Sequence, residues 1–180
     1  MMKFKCDKEN MMLSELKKEQ FHDLFQLFEE SFPQDEYRPY ELQKALLSLP
    51  QYKVYVYEKD HVLGGFFATW EGPSFIFIEH FAVKESFRNN GLGSRLLQEF
   101  VKLAKKPIVL EVEPPKGDLQ KRRVAFYERN GFKLNQWSYL QPALAKDQKP
   151  VPLVLMSYPR ALEPKEFQLF KNWVFSLVYS

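Results

Sequence analysis

The stretch that most constrains the fold covers residues 75–100 and reads FIFIEHFAVKESFRNNGLGSRLLQEF. Its first part, residues 75–83, is almost continuously apolar and aromatic, as in a strand that is buried on both faces. After a short polar run, Gly91 and Gly93 open a segment in which large apolar residues recur at helical spacing. The sequence therefore predicts a buried strand, a tight glycine-containing turn and an amphipathic helix.

This strand-to-helix junction suits a bound anion. The first turn of a helix carries N–H groups without internal partners, and the helix dipole adds partial positive charge there. Gly91 and Gly93 lack the Cβ atoms that would block close approach, so a phosphate or pyrophosphate fits, and Arg88 could add a charge-assisted contact. A turn that needs glycine for its own backbone angles explains the same pattern equally well, because a lone G-x-G is a weak signal.

Two motifs resemble those of the GNAT superfamily of acyl-CoA-dependent N-acyltransferases. Residues 88–93 (RNNGLG) match its R/Q-x-x-G-x-G/A motif and lie between a predicted strand and a predicted helix. Residues 122–132 (RRVAFYERNGF) resemble its second signature, a helix that carries a tyrosine and ends in a Gly-Phe turn. Both motifs occur in the family's order and at its usual separation, and the resemblance covers roughly residues 13–158.

The predicted elements follow the order β-α-α-β-β-β-α-β-α-β-β, which is the GNAT topology. The resemblance implies an α/β fold of the mixed α+β kind, with a central mixed twisted β-sheet flanked by helices. We expect one N-acetyltransferase domain over residues 1–180, with a core at about 11–158 and an added C-terminal helix at about 161–180. The apolar stripe of that helix indicates core packing or a dimer contact rather than membrane binding, because its polar side lacks dense lysines.

Composition narrows the class of protein. With 180 residues, of which 45% are hydrophobic, the chain is long enough for one sizeable core. A net charge of +3 is too small to indicate a nucleic-acid partner, and Cys6 is the only cysteine, which excludes an intrachain disulfide and a cysteine-based metal cluster. No apolar run approaches the ~20 residues of a membrane span. We therefore expect a cytoplasmic protein without membrane, nucleic-acid or metal binding, either a monomer or a homodimer.

The resemblance implies acetyl-CoA as co-substrate, with its pyrophosphate on the N–H groups of residues 89–94. It also implies that a backbone N–H near residues 81–83 polarises the thioester carbonyl. Gln120 could bond the pantetheine arm and Arg123 could reach a CoA phosphate, where many family members carry Asn and Ala. The implied cofactor contacts are Phe81, Ala82, Val83, Arg88, Asn89, Asn90, Gly91, Leu92, Gly93, Ser94, Gln120, Arg123 and Phe126.

Acetyl transfer to an amine requires a base for the ammonium, a polarised carbonyl and a proton donor for the leaving thiolate. Glu79 is the first candidate base, because a carboxylate within an apolar strand is costly unless it is paired or functional; the alternative is a structural partner of a buried arginine. Strand periodicity puts Glu79 on the face of Phe81 and opposite His80. Glu111 and Glu113 on the next predicted strand are the competing candidates, with Glu111 the deeper of the two and Glu113 nearer the mouth of the site. The resemblance implies Tyr127 as general acid, with packing between helix and sheet as the alternative role.

The loop SFPQDEYRPY, residues 31–40, joins the first two predicted helices. The resemblance implies that it forms one wall of the acceptor pocket; an ordinary solvated loop is the alternative. The candidate substrate contacts are Phe32, Glu36, Tyr37 and Arg38. The predicted function is an acyltransferase, for groups other than aminoacyl groups, that moves acetyl from acetyl-CoA to a primary amine of a small molecule or peptide. The alternative is a domain that binds acyl-CoA as a sensor or scaffold without turnover.

Overall fold

The computed structural model describes residues 13–180. Residues 11 and 12, the first two of the predicted core, lie outside the described residues, and the first strand of the described part is the short β1 (Ser14–Glu15). The other strands are β2 (Tyr52–Lys59), β3 (Val62–Glu71), β4 (Ile76–Val83), β5 (Ile108–Val112), β6 (Lys133–Gln141) and β7 (Val151–Tyr158).

The helices follow the predicted order. They are α1 (Phe21–Ser31), α2 (Tyr40–Ala45), α3 (Leu92–Leu103), α4 (Asp118–Arg129) and α5 (Pro164–Trp173). Short 3₁₀ turns precede α1 and follow α2. The predicted C-terminal helix is regular only to Trp173, after which residues Val174–Val178 form a wider π-helical turn.

The strands form one mixed sheet in the order β1-β2-β3-β4-β5-β7-β6, which confirms the predicted fold class. β4 and β5 are parallel, and every other neighbouring pair is antiparallel. The parallel pairing joins only residues 76–78 to residues 108–110, so the two strands part beyond Leu110. This parting opens the middle of the sheet and determines where a ligand can enter.

A β-bulge in β4 changes which way its side chains point. His80 pairs with Ala68 and Ile78 pairs with Thr69, which leaves Glu79 as an extra residue between them. Glu79 therefore reaches Trp70 on the α1 side of the sheet, whereas Phe81 stacks on Phe67 on the opposite side. The prediction that Glu79 shares the face of Phe81 is wrong, because simple alternation does not continue through a bulge.

The core consists of two apolar layers, one on each face of the sheet. One layer packs α1 and the C-terminal helix against β2, β3 and β4, and the other packs α3 and α4 against the opposite face. Phe170 of α5 is fully buried, and its ring meets those of Phe75 and Phe77 edge to face. The apolar stripe of this helix is therefore core packing. Within residues 13–180, no helix is both long and apolar enough to cross a membrane.

Candidate active site

A cleft of about 410 Å³ lies where β4 and β5 part. It brings together predicted site residues that are far apart in sequence: Phe32, Glu36, Glu79, Phe81, Ala82, Val83, Arg88, Glu111, Arg123, Phe126 and Tyr127. Ser31, His80, Gln141 and Leu153 also line it and were not predicted as site residues. Beyond the last paired residues, alternate backbone N–H groups of β4 face this gap instead of a neighbouring strand.

Glu79 is engaged on both of its carboxylate oxygens. Oε1 accepts a hydrogen bond from Arg38 at 2.7 Å, and Oε2 accepts one from the Trp70 indole at 2.7 Å. The Arg38 and Glu79 side chains are 8% and 4% exposed, so this is a buried ion pair. Burial alone would raise the pKa of Glu79, but the charge of Arg38 and the hydrogen bonds to Trp70 and Arg38 outweigh it and leave that pKa below its usual value.

Glu111 is held by two tyrosines rather than by a cation. Tyr139 of β6 donates to Oε1, and Tyr179 from the C-terminal segment donates to Oε2 at 2.5 Å. Burial raises the pKa of Glu111 to about 7, although the two phenol hydrogen bonds lower it in part. A pKa in this range suits a group that exchanges a proton at neutral pH. The roles of Tyr139 and Tyr179 have no local sequence signal, because both act through tertiary contacts.

Tyr127 lies on α4 with its ring against Phe126 and Phe132. Burial raises its pKa to about 12, so its hydroxyl is protonated at neutral pH. None of the described residues accepts a hydrogen bond from this hydroxyl within normal bonding distance. Tyr127 thus combines a packed ring with a proton that is available to a group in the cleft.

The N-terminus of α3 is shaped as the glycine motif predicts. Gly91 has φ +77° and Asn89 has φ +65°, both in the left-handed region. Asn90 Oδ1 accepts from the Leu92 N–H at 3.1 Å, and the helical bonds begin with Arg95 N–H to the Gly91 carbonyl. The N–H groups of residues 93 and 94 therefore precede the helical ladder and remain available to an anion.

The acetyltransferase (GNAT) family model matches residues 19–132, which is more than half of the chain and includes both glycine and tyrosine motifs. The chain belongs to the GNAT family. A solved Bacteroides thetaiotaomicron chain assigned to this family is 30% identical, with a TM-score of 0.84 over 94% of this chain and 98% of that chain.

Two further relatives are more distant or shorter in coverage. YjbC of Bacillus subtilis (strain 168), which is classed as an acetyltransferase, is 33% identical over 111 residues. That match covers 61% of this GNAT chain and 56% of YjbC, so the chain spans just over half of the length of that relative. The structure of yncA from Salmonella typhimurium with its cofactor acetyl-CoA is 17% identical, with a TM-score of 0.60 over 83% and 93% of the two chains, and shares the fold.

The three long polar side chains among the predicted cofactor contacts of this GNAT chain already have protein partners. Arg88 Nε donates to the Val83 carbonyl at 2.8 Å, which keeps the side chain at the end of β4. Arg123 lies 3.3 Å from Glu113, and Gln120 lies 3.5 Å from the same carboxylate. Glu113 directly follows β5, which ends at Val112. A bound phosphate would therefore compete with Glu113 for Arg123.

The predicted acceptor wall divides into two pairs. Phe32 and Glu36 line the cleft, and burial raises the pKa of Glu36. The ring of Tyr37 instead packs against Phe25 and Phe28. Arg38 is buried behind the cleft, where Nη2 donates to the Val178 carbonyl at 2.5 Å.

Two loops near the acceptor side are tied together by Gln148 in the loop between β6 and β7. Its Nε2 donates to the carbonyls of Gln34 and Tyr37 at 2.7 and 2.6 Å. The loop that precedes α2 and the loop between β6 and β7 are thus coupled by hydrogen bonds.

Within residues 13–180, no group of three His, Cys, Asp or Glu side chains is arranged to hold a metal ion.

The buried ion pair gives a prediction for stability. Glu79→Gln leaves Arg38 without its counterion, which should lower the free energy of unfolding at pH 7 by roughly 3–5 kcal/mol. Because the folded-state pKa of Glu79 is lowered, its contribution is present above the unfolded pKa and lost as the pH falls through the folded pKa. Denaturant unfolding from pH 7 to pH 3 should therefore show the difference between variant and wild type narrowing below about pH 4.5.

The matched control is Glu128→Gln, which changes an exposed glutamate of α4. Its unfolding should follow the wild type at every pH. Equal stability of wild type and Glu79→Gln at pH 7 would contradict the role assigned to the ion pair.

Proposed function

We propose that this protein transfers the acetyl group of acetyl-CoA to a primary amine of a small molecule or peptide. The observation that carries this proposal is that Glu111, with a pKa of about 7, and the protonated Tyr127 line one cleft at the parting of β4 and β5. Membership of the GNAT family supports acetyl transfer. The relative that holds acetyl-CoA supports this donor.

The donor is held by the two strands and α3. The pyrophosphate accepts hydrogen bonds from the N–H groups of residues 93 and 94, with Arg88 beside it. The pantetheine arm enters the gap between β4 and β5, and a free N–H of residues 81–83 polarises the thioester carbonyl. Phe126 forms part of the wall next to this path, because it lines the cleft and its ring lies near Gly93.

Glu111 serves as the base. The ammonium of the acceptor must lose a proton before its nitrogen can attack, and Glu111 has a pKa suited to receive that proton near pH 7. Glu79 is less suited because it is ion-paired with Arg38, which lowers the pKa of its carboxyl and disfavours proton uptake. We assign Glu79 the role of holding Arg38 and the acceptor side of the cleft in place.

Tyr127 serves as the acid. The amine nitrogen forms a bond to the thioester carbon and releases its remaining extra proton to solvent, and the tetrahedral intermediate then breaks its C–S bond. The CoA sulfur leaves with the proton of the Tyr127 hydroxyl, which solvent restores. Glu36 and the ionised form of Glu111, neither of them paired at short range with a cation of residues 13–180, give the acceptor side negative charge, which favours an amine that arrives as a cation.

Turnover and its pH dependence test the base. Wild type with acetyl-CoA and a panel of primary amines should release free thiol, and kcat/KM should rise through a limb centred near pH 7. Glu111→Gln should lose this limb, fall roughly 10²-fold or more at pH 7 and recover in part at high pH, where the free amine forms unaided.

Glu128→Gln is the control and should retain the wild-type profile, because Glu128 is exposed on α4. An unaltered limb in Glu111→Gln would remove Glu111 as the base. Binding of acetyl-CoA with no thiol release for any amine would support a domain that binds acyl-CoA without turnover.

The acid has its own test. Tyr127→Phe keeps the ring packing and removes the proton donor, so acetyl-CoA affinity should stay near wild type while kcat falls by roughly 10²-fold or more. Tyr55→Phe, which alters a tyrosine packed against Phe100 on the far part of the sheet, is the control. If steady-state kinetics give Tyr127→Phe the wild-type kcat, Tyr127 contributes packing alone.

The pyrophosphate site is tested by two glycine variants. A Cβ on Gly93 would lie 3.5 Å from the Phe126 ring and 3.7 Å from Val83, so Gly93→Val adds bulk at the cleft wall. CoA affinity should fall at least about tenfold with little change in melting temperature. Gly91→Val should lower both, because φ +77° costs a non-glycine residue roughly 1–2 kcal/mol.

Calorimetric titration with CoA measures both affinities. Gln98→Val, on the exposed side of α3, provides the control for a valine placed in this helix. Unchanged CoA affinity in both glycine variants would show that the pyrophosphate lies elsewhere.

A further inference from the structure

The C-terminal segment, defined here as residues 174–180, reaches the cleft from behind. The Tyr179 hydroxyl donates to Glu111 Oε2 at 2.5 Å, and the Val178 carbonyl accepts from Arg38 at 2.5 Å. The segment thus contacts Glu111 directly and contacts Arg38, the ion-pair partner of Glu79. Its π-helical turn is a local geometry that often accompanies functional sites.

We infer that Tyr179 is a positioning residue for the proposed acetyl transfer, and that its hydroxyl fixes the Glu111 carboxylate at the acceptor side of the cleft. This inference rests on the proposed function, in which Glu111 is the base. Tyr179 contacts the base rather than the reacting atoms. Its effect is therefore exerted through Glu111.

The surroundings of Glu111 explain why a phenol is suited to this role. Tyr139 faces Glu111 from β6, and Tyr179 faces it from the C-terminal segment. The charge of Glu79 on β4, which is paired with Arg38, raises the pKa of Glu111. A phenol stabilises a carboxylate by a hydrogen bond without bringing a full positive charge. Glu111 is therefore oriented yet still able to take up a proton, whereas Arg38 keeps Glu79 ionised.

The hydroxyl of Tyr179 is not needed to attach the segment. Val174 and Val178 are 0% and 3% exposed, and Phe170 of the preceding helix is fully buried in the same core. The ring of Tyr179 also meets that of Phe175 edge to face. Tyr179→Phe should therefore leave the segment docked and remove only the hydrogen bond to Glu111.

The test measures the titration of Glu111 in the free protein. Carbon NMR of protein labelled at the glutamate side-chain carboxyl, with the signal assigned by its loss in Glu111→Gln, gives the midpoint directly. Removing a donor that stabilises the ionised form should move the midpoint upward by about one pH unit in Tyr179→Phe. Tyr158→Phe, at the end of β7 and against Phe132, is the matched control and should leave it unchanged.

Kinetics test the consequence for catalysis. The ascending limb of the kcat/KM profile should move upward with the titration midpoint in Tyr179→Phe, and kcat should fall at pH 7 while the KM for acetyl-CoA stays near wild type. A residue that only anchors the segment would lower the melting temperature and leave both the titration and the limb in place. That result would overturn the inference.

A second substitution strengthens the hydrogen bond instead of removing it. Replacing Tyr179 by 3,5-difluorotyrosine makes the phenol a better donor, so the Glu111 midpoint should move downward. An unmoved midpoint in this variant and in Tyr179→Phe would overturn the coupling. If the Glu111 midpoint shifts in these variants but the wild-type protein acetylates no amine, the proposed function is overturned. The coupling between Tyr179 and Glu111 then still stands.

Discussion

The buried ion pair between Arg38 and Glu79 joins three parts of the chain that are distant in sequence. Arg38 lies 41 residues from Glu79 and 140 residues from Val178, and it bonds to both. Burying two charges is costly unless their remaining hydrogen-bonding groups are satisfied. Here the Trp70 indole donates to Glu79, and the Val178 carbonyl accepts from Arg38. The loop before α2, the bulge of β4 and the C-terminal segment therefore form one unit behind the cleft.

The bulge and the parting of β4 from β5 act together on the site. The parting opens the sheet beyond Leu110, and the bulge turns Glu79 toward Trp70 on the α1 side. Glu79 and Glu111 then lie near the same cleft with different partners, a guanidinium for one and two phenols for the other. Burial raises the pKa of both carboxyls, but the charge of Arg38 outweighs burial at Glu79, whereas the two phenols offset it only in part at Glu111.

Much of the fold is predictable because its signals are local. Apolar runs, helical spacing and the two glycine-containing turns identify the elements, and the motif around residues 88–93 identifies the start of α3. The bulge at Glu79 leaves no trace in periodicity, since it is one extra residue in an otherwise regular strand. The sequence also cannot show that Arg38, a candidate substrate contact, is the partner of Glu79, or that Tyr139 and Tyr179 hold Glu111, because these pairs form only through tertiary packing.

The docking of the C-terminal segment has a consequence for how the protein responds to heat. The segment contributes Tyr179 and the Val178 carbonyl to the site but belongs to no strand of the sheet. Segments at the edge of a core open locally at a lower free energy than central strands do. Opening of this segment would dismantle the surroundings of Glu111 while the sheet stays folded. Loss of activity on heating therefore need not coincide with unfolding of the sheet.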